Sequence, residues 1–218
     1  MNMSNIIFRT GLAILCLTVS GLAQEQWELG AAGGYGFYKN ITATNATGEA
    51  SVGFKPGYAF GVVAGNETKQ WFGGEVRYTY RQNEARVKSG STEARFDAES
   101  HVLHYDLVFH LAPRSRRIRP FVAAGAGVKI FRGTGRETAF QPLTSFVALT
   151  RATQVVPVVS AGGGFKIRLN ELMTLRIEGR DYASTFPNEV IVPVPGARAQ
   201  GWLHDFVPLV GLSFNVGR

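Results

Sequence analysis

Three features of the sequence predict an all-β fold: an eight-stranded antiparallel up-and-down transmembrane β-barrel. Apolar and polar residues alternate with a period of two, and the charges gather on one of the two faces. The pattern recurs about eight times, and the connections between repeats alternate between short and long. Successive side chains of a strand point to opposite faces, so each repeat has one apolar wall and one charged wall. Closing such strands into a ring leaves no unpaired edge in hydrocarbon.

The chain opens on the layout of a cleaved signal peptide. Arg9 supplies the positive charge, Gly11 to Val19 an apolar run, and Gly21-Leu22-Ala23 the small residues of a cleavage site. The run is shorter than the roughly 20 residues of a spanning helix. Leu15 precedes Cys16, which does not suit a lipidated cysteine. Residues 1–23 are therefore expected to be removed, leaving residues 24–218 as one barrel domain. That domain holds no cysteine, and 22 basic against 16 acidic residues give it a net charge of +6. The basic residues are dispersed, apart from Arg114, Arg116, Arg117 and Arg119. Behind an export signal, nucleic acid is not an expected partner, whereas anionic lipid headgroups are.

The first strand is expected at residues 27–38, with Trp27, Leu29, Ala31, Tyr35 and Phe37 on the apolar face. The second, residues 51–64, places Val52, Phe54, Tyr58, Phe60 and Val62 together. The third, residues 71–81, sets Phe72, Val76, Tyr78 and Tyr80 against Glu75, Arg77, Thr79 and Arg81. The fourth, residues 100–111, sets Leu103, Tyr105, Leu107, Phe109 and Leu111 against His104, Asp106, Val108 and His110. In the fifth, residues 120–132, Val122 to Ile130 alternate with Gly125, Gly127 and Lys129. The sixth, residues 154–168, opposes Val155, Val159 and Phe165 to Ser160, Lys166 and Arg168. The seventh, residues 173–182, opposes Leu175 and Ile177 to Arg176, Glu178 and Arg180. The eighth, residues 204–216, opposes Phe206, Val210, Leu212 and Phe214 to Asp205 and Ser213.

Residues 65–70, 112–119 and 170–171 read as short turns; residues 39–50, 82–99, 133–153 and 183–203 read as long loops. Outer-membrane barrels have short periplasmic turns and longer external loops, so both ends of the barrel are expected on the periplasmic side. Energetics choose the outward wall. An Arg or Lys at the midplane of the lipid-facing side costs about 2–4 kcal/mol. With the apolar faces outward, Asp181 is the only strand charge assigned to lipid, near an external end. The inverse would sink several charges in hydrocarbon, and a one-residue slip inverts a whole strand. The interior charge network is accordingly expected from Glu28, Lys55, Glu75, Arg77, Arg81, His104, Asp106, Lys129, Lys166, Arg168, Arg176, Glu178, Arg180 and Asp205. An eight-strand lumen just accommodates side chains, so these charges must pair. Trp27, Tyr35, Trp71, Tyr80, Phe121 and Phe214 are expected in aromatic girdles. Pro56, Pro157 and Pro208 each remove a ladder donor and are expected at bulges or breaks.

The segments Arg119-Pro120-Phe121-Val122-Ala123-Ala124-Gly125-Ala126-Gly127, Leu175-Arg176-Ile177-Glu178-Gly179-Arg180-Asp181-Tyr182 and His204-Asp205-Phe206-Val207-Pro208-Leu209-Val210-Gly211-Leu212-Ser213-Phe214 resemble the small OmpA-like outer-membrane barrel family. The resemblance covers residues 25–218. It implies an outer-membrane barrel, assembled as a monomer by the barrel-assembly machinery, and it is weak for function. Such families include structural barrels, adhesins, narrow channels and a few enzymes. The chain departs from the pattern after Phe214, where Asn215, Val216, Gly217 and Arg218 replace a terminal aromatic residue.

Candidate chemistry is sparse. His104, Asp106 and His110 share a face, which would suit a metal or an acid–base pair; a satisfied interior network explains them equally without either. Ser184, His204 and Asp205 could be assembled into a lipid-modifying site, but no G-x-S-x-G elbow accompanies them. The glycine groups at 33–34, 125–127 and 162–164 open no helix and are not phosphate loops. No catalytic residue, metal or cofactor is expected. The expectation is an integral outer-membrane barrel with a structural or surface-interaction role and a plugged, charged interior. A narrow channel, a soluble exported ligand-binding barrel and a lipid-modifying enzyme are the alternatives.

Overall fold

The computed structural model describes residues 27–46, 48–67, 69–136, 141–199 and 201–216; the expected signal peptide lies outside them. The described residues form twelve strands: β1 (Trp27–Lys39), β2 (Ile41–Asn45), β3 (Gly48–Phe54), β4 (Gly57–Asn66), β5 (Phe72–Ser89), β6 (Thr92–His110), β7 (Ile118–Gly133), β8 (Val147–Leu149), β9 (Thr153–Arg168), β10 (Met173–Thr185), β11 (Ile191–Pro193) and β12 (Trp202–Val216). Eight of them close a ring in the order β1-β4-β5-β6-β7-β9-β10-β12, every neighbour antiparallel, with β12 returning to β1. The fold is the eight-stranded barrel that the alternation predicts.

The apolar walls face outward. Tyr58, Phe60, Val62, Leu103, Leu107, Val155, Phe206 and Val210 are each more than half exposed, which in a ring of this size is the lipid face. The charged walls face in: Glu75, Arg77, Asp106, Lys129, Arg176 and Arg180 are buried. This rules out the soluble alternative, which needs the apolar faces inside. The phase assigned to the fifth strand also holds, with Val122 and Val128 exposed and Lys129 buried.

The second strand departs from expectation. It is broken at Lys55-Pro56 into β3 and β4, both paired with β5. Phe54 lies opposite Ala85 while Ala59 lies opposite Arg81, so five steps on one side match four on the other. The one extra residue is a bulge, and it reverses the side-chain phase. Val52 and Phe54, expected beside Tyr58 on the lipid wall, are buried inside instead. Pro56 supplies the break because it cannot donate to the ladder. Pro157 and Pro208 do not break their strands; they sit within β9 and β12, exposed on the outer wall.

The long connections are not open loops. β5 and β6 stay paired from Phe72↔Phe109 out to Ser89↔Thr92, so residues 82–99 are a hairpin closed by Gly90, whose φ of +57° is the left-handed region that glycine adopts without strain. β2 and β3 form a second hairpin. β8 and β11, from the two remaining connections, pair with each other. Together these segments enclose an apolar cluster that includes Val52, Phe54, Val87, Phe96, Phe131, Phe146, Phe186, Ile191 and Leu203. The external end of the barrel is thus a cap with a core of its own.

Two outward assignments also change. Phe121 is buried inside, not in a girdle. Arg132, at the external end of β7, joins Asp181 as an outward charge and pairs with Glu99 at 3.3 Å.

Candidate functional site

The lumen is the site to which most of the chemistry-bearing residues converge. Its lower layer is a continuous ion-pair lattice. Arg77 straddles Glu178, donating through Nη1 to Oε1 at 2.7 Å and through Nη2 to Oε2 at 3.1 Å, and reaches Glu75 at 3.1 Å. Arg176 donates to both oxygens of Glu75 at 2.9 and 2.8 Å, and to Glu28 at 2.8 Å. Lys166 donates to Glu28 at 2.5 Å and lies 3.2 Å from Glu75. Arg180 donates to Asp106 and, at 3.2 and 3.3 Å, to Glu178. His104 Nδ1 sits 2.9 Å from Asp106 Oδ1. Four carboxylates, Glu28, Glu75, Asp106 and Glu178, balance the four cations Arg77, Lys166, Arg176 and Arg180. The forked geometry of arginine lets Arg77, Arg176 and Arg180 each span two carboxylates through separate N–H groups, and the Lys166 ammonium bridges Glu28 and Glu75 as a point charge.

A second layer lies toward the cap. Asp205 accepts from Arg81 and, at 2.8 Å, from Lys129. The excess positive charge rests on aromatic faces: Arg81 and Lys129 lie 4.9 and 4.8 Å from the Tyr38 ring centroid, and Lys129 lies 4.9 Å from that of Phe131. Aromatic quadrupoles attract cations at this range. A Cβ at Gly36 would displace the Arg81 guanidinium from its place beside Asp205. Phe131 in turn stacks on Phe54, centroids 5.1 Å apart, and so joins the ionic layer to the apolar cap above it.

Of the expected network, Glu75, Arg77, Arg81, His104, Asp106, Lys129, Lys166, Arg176, Glu178, Arg180 and Asp205 are inside. Lys55 is not. The bulge turns it outward, where it meets Glu84 at 3.2 Å. Arg168 has the inward register but lies at the periplasmic rim, donating to the carbonyls of Arg114 and Ser115 at 3.3 and 3.0 Å. The unexpected member is Glu67, in the turn between β4 and β5. It accepts from Arg119 at 2.9 and 2.8 Å and from Arg114 at 3.0 Å, and His110 Nε2 lies 3.2 Å from it. Burial alone would raise the Glu67 carboxyl; His110, Lys166 and Arg119 outweigh that and hold it well below the ordinary carboxylate range. No period-two argument reaches a turn residue, so strand patterning could not find it.

Ser184, His204 and Asp205 do not come together. Ser184 and Asp205 point inward, while His204 is exposed on the outer wall, 2.7 Å from Asp181. His104 and His110 belong to different clusters, with Asp106 and Glu67 respectively. Among the described residues, no three His, Cys, Asp or Glu side chains are grouped to hold a metal.

The periplasmic mouth is a vestibule of about 1020 Å³ whose lining includes Glu28, Glu67, Lys166 and the arginines of the 112–119 turn. It ends on the ion-pair lattice.

Comparison with known proteins agrees with this architecture. A family model described as outer membrane protein beta-barrel domain matches residues 10–203. Among solved structures, the chain is similar to the outer membrane protein OprG from Pseudomonas aeruginosa, with a TM-score of 0.60 and 12% identity over 90% of this chain and 98% of that one. It is also similar to Neisserial surface protein A, with a TM-score of 0.53 and 11% identity over 87% and 96%. Among curated proteins, none matches the chain by sequence.

Proposed function

The chain belongs to the outer membrane protein beta-barrel domain family, and on that footing we propose that it is a non-conducting, non-enzymatic barrel that presents a rigid external face for structural or surface contacts. The external cap carries this reading. Nineteen buried apolar residues gather there among the described residues, so the connections are held by core packing. Open loops around a pore would not bury Phe54, Phe131, Ile191 and Leu203 almost completely. Beneath the cap, two layers of paired charge fill the lumen. A solute would have to disrupt both, and breaking a buried pair costs about 3–5 kcal/mol. The scattered positions of Ser184, His204 and Asp205 offer no assembled nucleophile, which supports the non-enzymatic part.

Export through a signal peptide, insertion by the barrel-assembly machinery and a monomeric state belong to the same proposal. The layout of residues 1–23 supports the export part, and a ring closed within one chain is compatible with a monomer.

Planar-bilayer recording of the purified chain is the test. A silent membrane is expected; steady unitary steps would establish a channel and defeat the plugged reading. Cells displaying the intact chain, compared for autoaggregation and adherence with cells displaying one trimmed at the 86–95 hairpin tip, separate the two contact roles. Equal behaviour would remove the surface-interaction role and leave the structural one.

A further inference from the structure

The periplasmic vestibule carries positive charge that the lattice does not neutralise. Arg114 and Arg119 are engaged by Glu67. Arg116, Arg117 and Arg168 line the same cavity and form no ion pair with a carboxylate of the described residues. Arg168 is tied to the turn that carries the other two. Arg168 N donates to Arg117 O at 2.8 Å, and the Arg168 guanidinium is clamped to the 112–119 turn through two backbone carbonyls. Glu171 lines the cavity too, so its lining carries six basic side chains against the three carboxylates Glu28, Glu67 and Glu171, and an excess of positive charge in one concavity favours an anion there. Guanidinium forks match paired oxygens such as those of a phosphate or a carboxylate.

A second observation narrows the source. Leu169 and Leu172, 46% and 62% exposed, line the same cavity on the turn between β9 and β10. Apolar side chains beside unneutralised arginines, at the periplasmic edge of the lipid band, match a group that is anionic at one end and apolar at the other.

We propose that the periplasmic mouth is a phosphate-ester binding site, formed by Arg116, Arg117 and Arg168, whose ligand is the headgroup of an anionic phospholipid or a soluble phosphate ester. The site is independent of whatever the external cap contacts. Its phosphate arm is read in detergent, where membrane orientation plays no part.

The full-length barrel in neutral detergent is titrated with inorganic phosphate, and in parallel is reconstituted with phosphatidylglycerol or phosphatidylcholine and examined by native mass spectrometry for retained lipid. The same is done for R116Q/R117Q/R168Q, for R116Q/R117Q (which leaves the Arg168 clamp intact) and for the external control R86Q/R95Q. Heat-dependent gel migration reports folding of each. Loss of three charge-assisted donors should weaken binding about tenfold or more in the triple variant and leave the external control unchanged. Saturable phosphate binding that the arginine variants lose supports the site with a soluble source. No phosphate response, but selective retention of phosphatidylglycerol that those variants lose, supports it with a lipid source. Equal behaviour of the arginine variants and the parent chain in both arms overturns the proposal and makes the arginines a solvated turn.

Discussion

At the residue scale, the lumen shows why buried charge is tolerable in this fold. Each carboxylate is held by at least two donors, so none carries an uncompensated charge. The weakest balance is in the upper layer, where one carboxylate, Asp205, serves Arg81 and Lys129. Asp205→Asn should therefore cost about 3–5 kcal/mol, since it leaves two buried cations without a counter-charge. The half-exposed Lys55–Glu84 pair should cost no more than about 1 kcal/mol when Lys55 is changed to Gln. Urea unfolding in lipid vesicles measures both, and equal costs would mean that the upper layer does not bear on stability. Glu67 adds a pH dependence. Its carboxyl is depressed in the folded barrel, so its stabilisation is complete above the ordinary value of 4.5 and fades as the pH falls below that toward the folded value. Stability followed from about pH 7 to about pH 3 should decline less steeply in Glu67→Gln than in the parent. Parallel profiles would mean that the turn carboxylate is not coupled to folding.

At the scale of elements, the instructive case is the strand that Pro56 divides. Val52 and Phe54 read as a continuation of Tyr58, Phe60 and Val62 because all lie at even positions. The inserted residue at the bulge makes the parity of β3 opposite to that of β4. Cysteine accessibility separates the two registers: Tyr58→Cys should react with a probe delivered from lipid, Lys55→Cys with an aqueous external probe, and Phe54→Cys with neither. Labelling of Phe54→Cys from the lipid phase would restore the unbroken strand. Elsewhere the walls were legible because a charge on the lipid side is prohibitively costly, which ties parity to polarity along β5, β6, β10 and β12. The cap was not legible for the same reason. Above the membrane neither face meets hydrocarbon and the polarity of the faces inverts: Glu84, Arg86 and Lys88 take the outward parity of Val76, Tyr78 and Tyr80, and Ala85 and Val87 the buried parity of Arg77 and Arg81, so the pattern of the wall does not carry on into the hairpin. The pairing of β8 with β11 joins segments far apart in sequence, which local patterning does not reach. Arg168 illustrates a further limit: parity gives the face of a strand but not the depth along it, and depth decides whether an arginine is buried or at the rim.

At the scale of the whole molecule, two kinds of core are stacked on one axis. The membrane ring is inverted, apolar outside and ionic inside; the cap has the ordinary arrangement, with apolar residues enclosed. They meet at the layer where Lys129 lies over Tyr38 and Phe131, and Phe131 stacks on Phe54. The ring is closed by ladders that do not involve β8 or β11, so damage to the cap need not open it. Ile191, fully buried in β11 within the apolar cluster, tests this separation. Ile191→Ala removes packing worth about 2–5 kcal/mol in a well-packed core. The expected result is faster amide exchange and protease cleavage within residues 186–199, while heat-dependent gel migration remains that of a closed barrel. The external face would then be a platform whose rigidity can be tuned without unseating the anchor. Loss of the heat-dependent shift in the same variant would show instead that cap and ring fold as one cooperative unit, and that the apolar plug is part of what holds the strands in a ring.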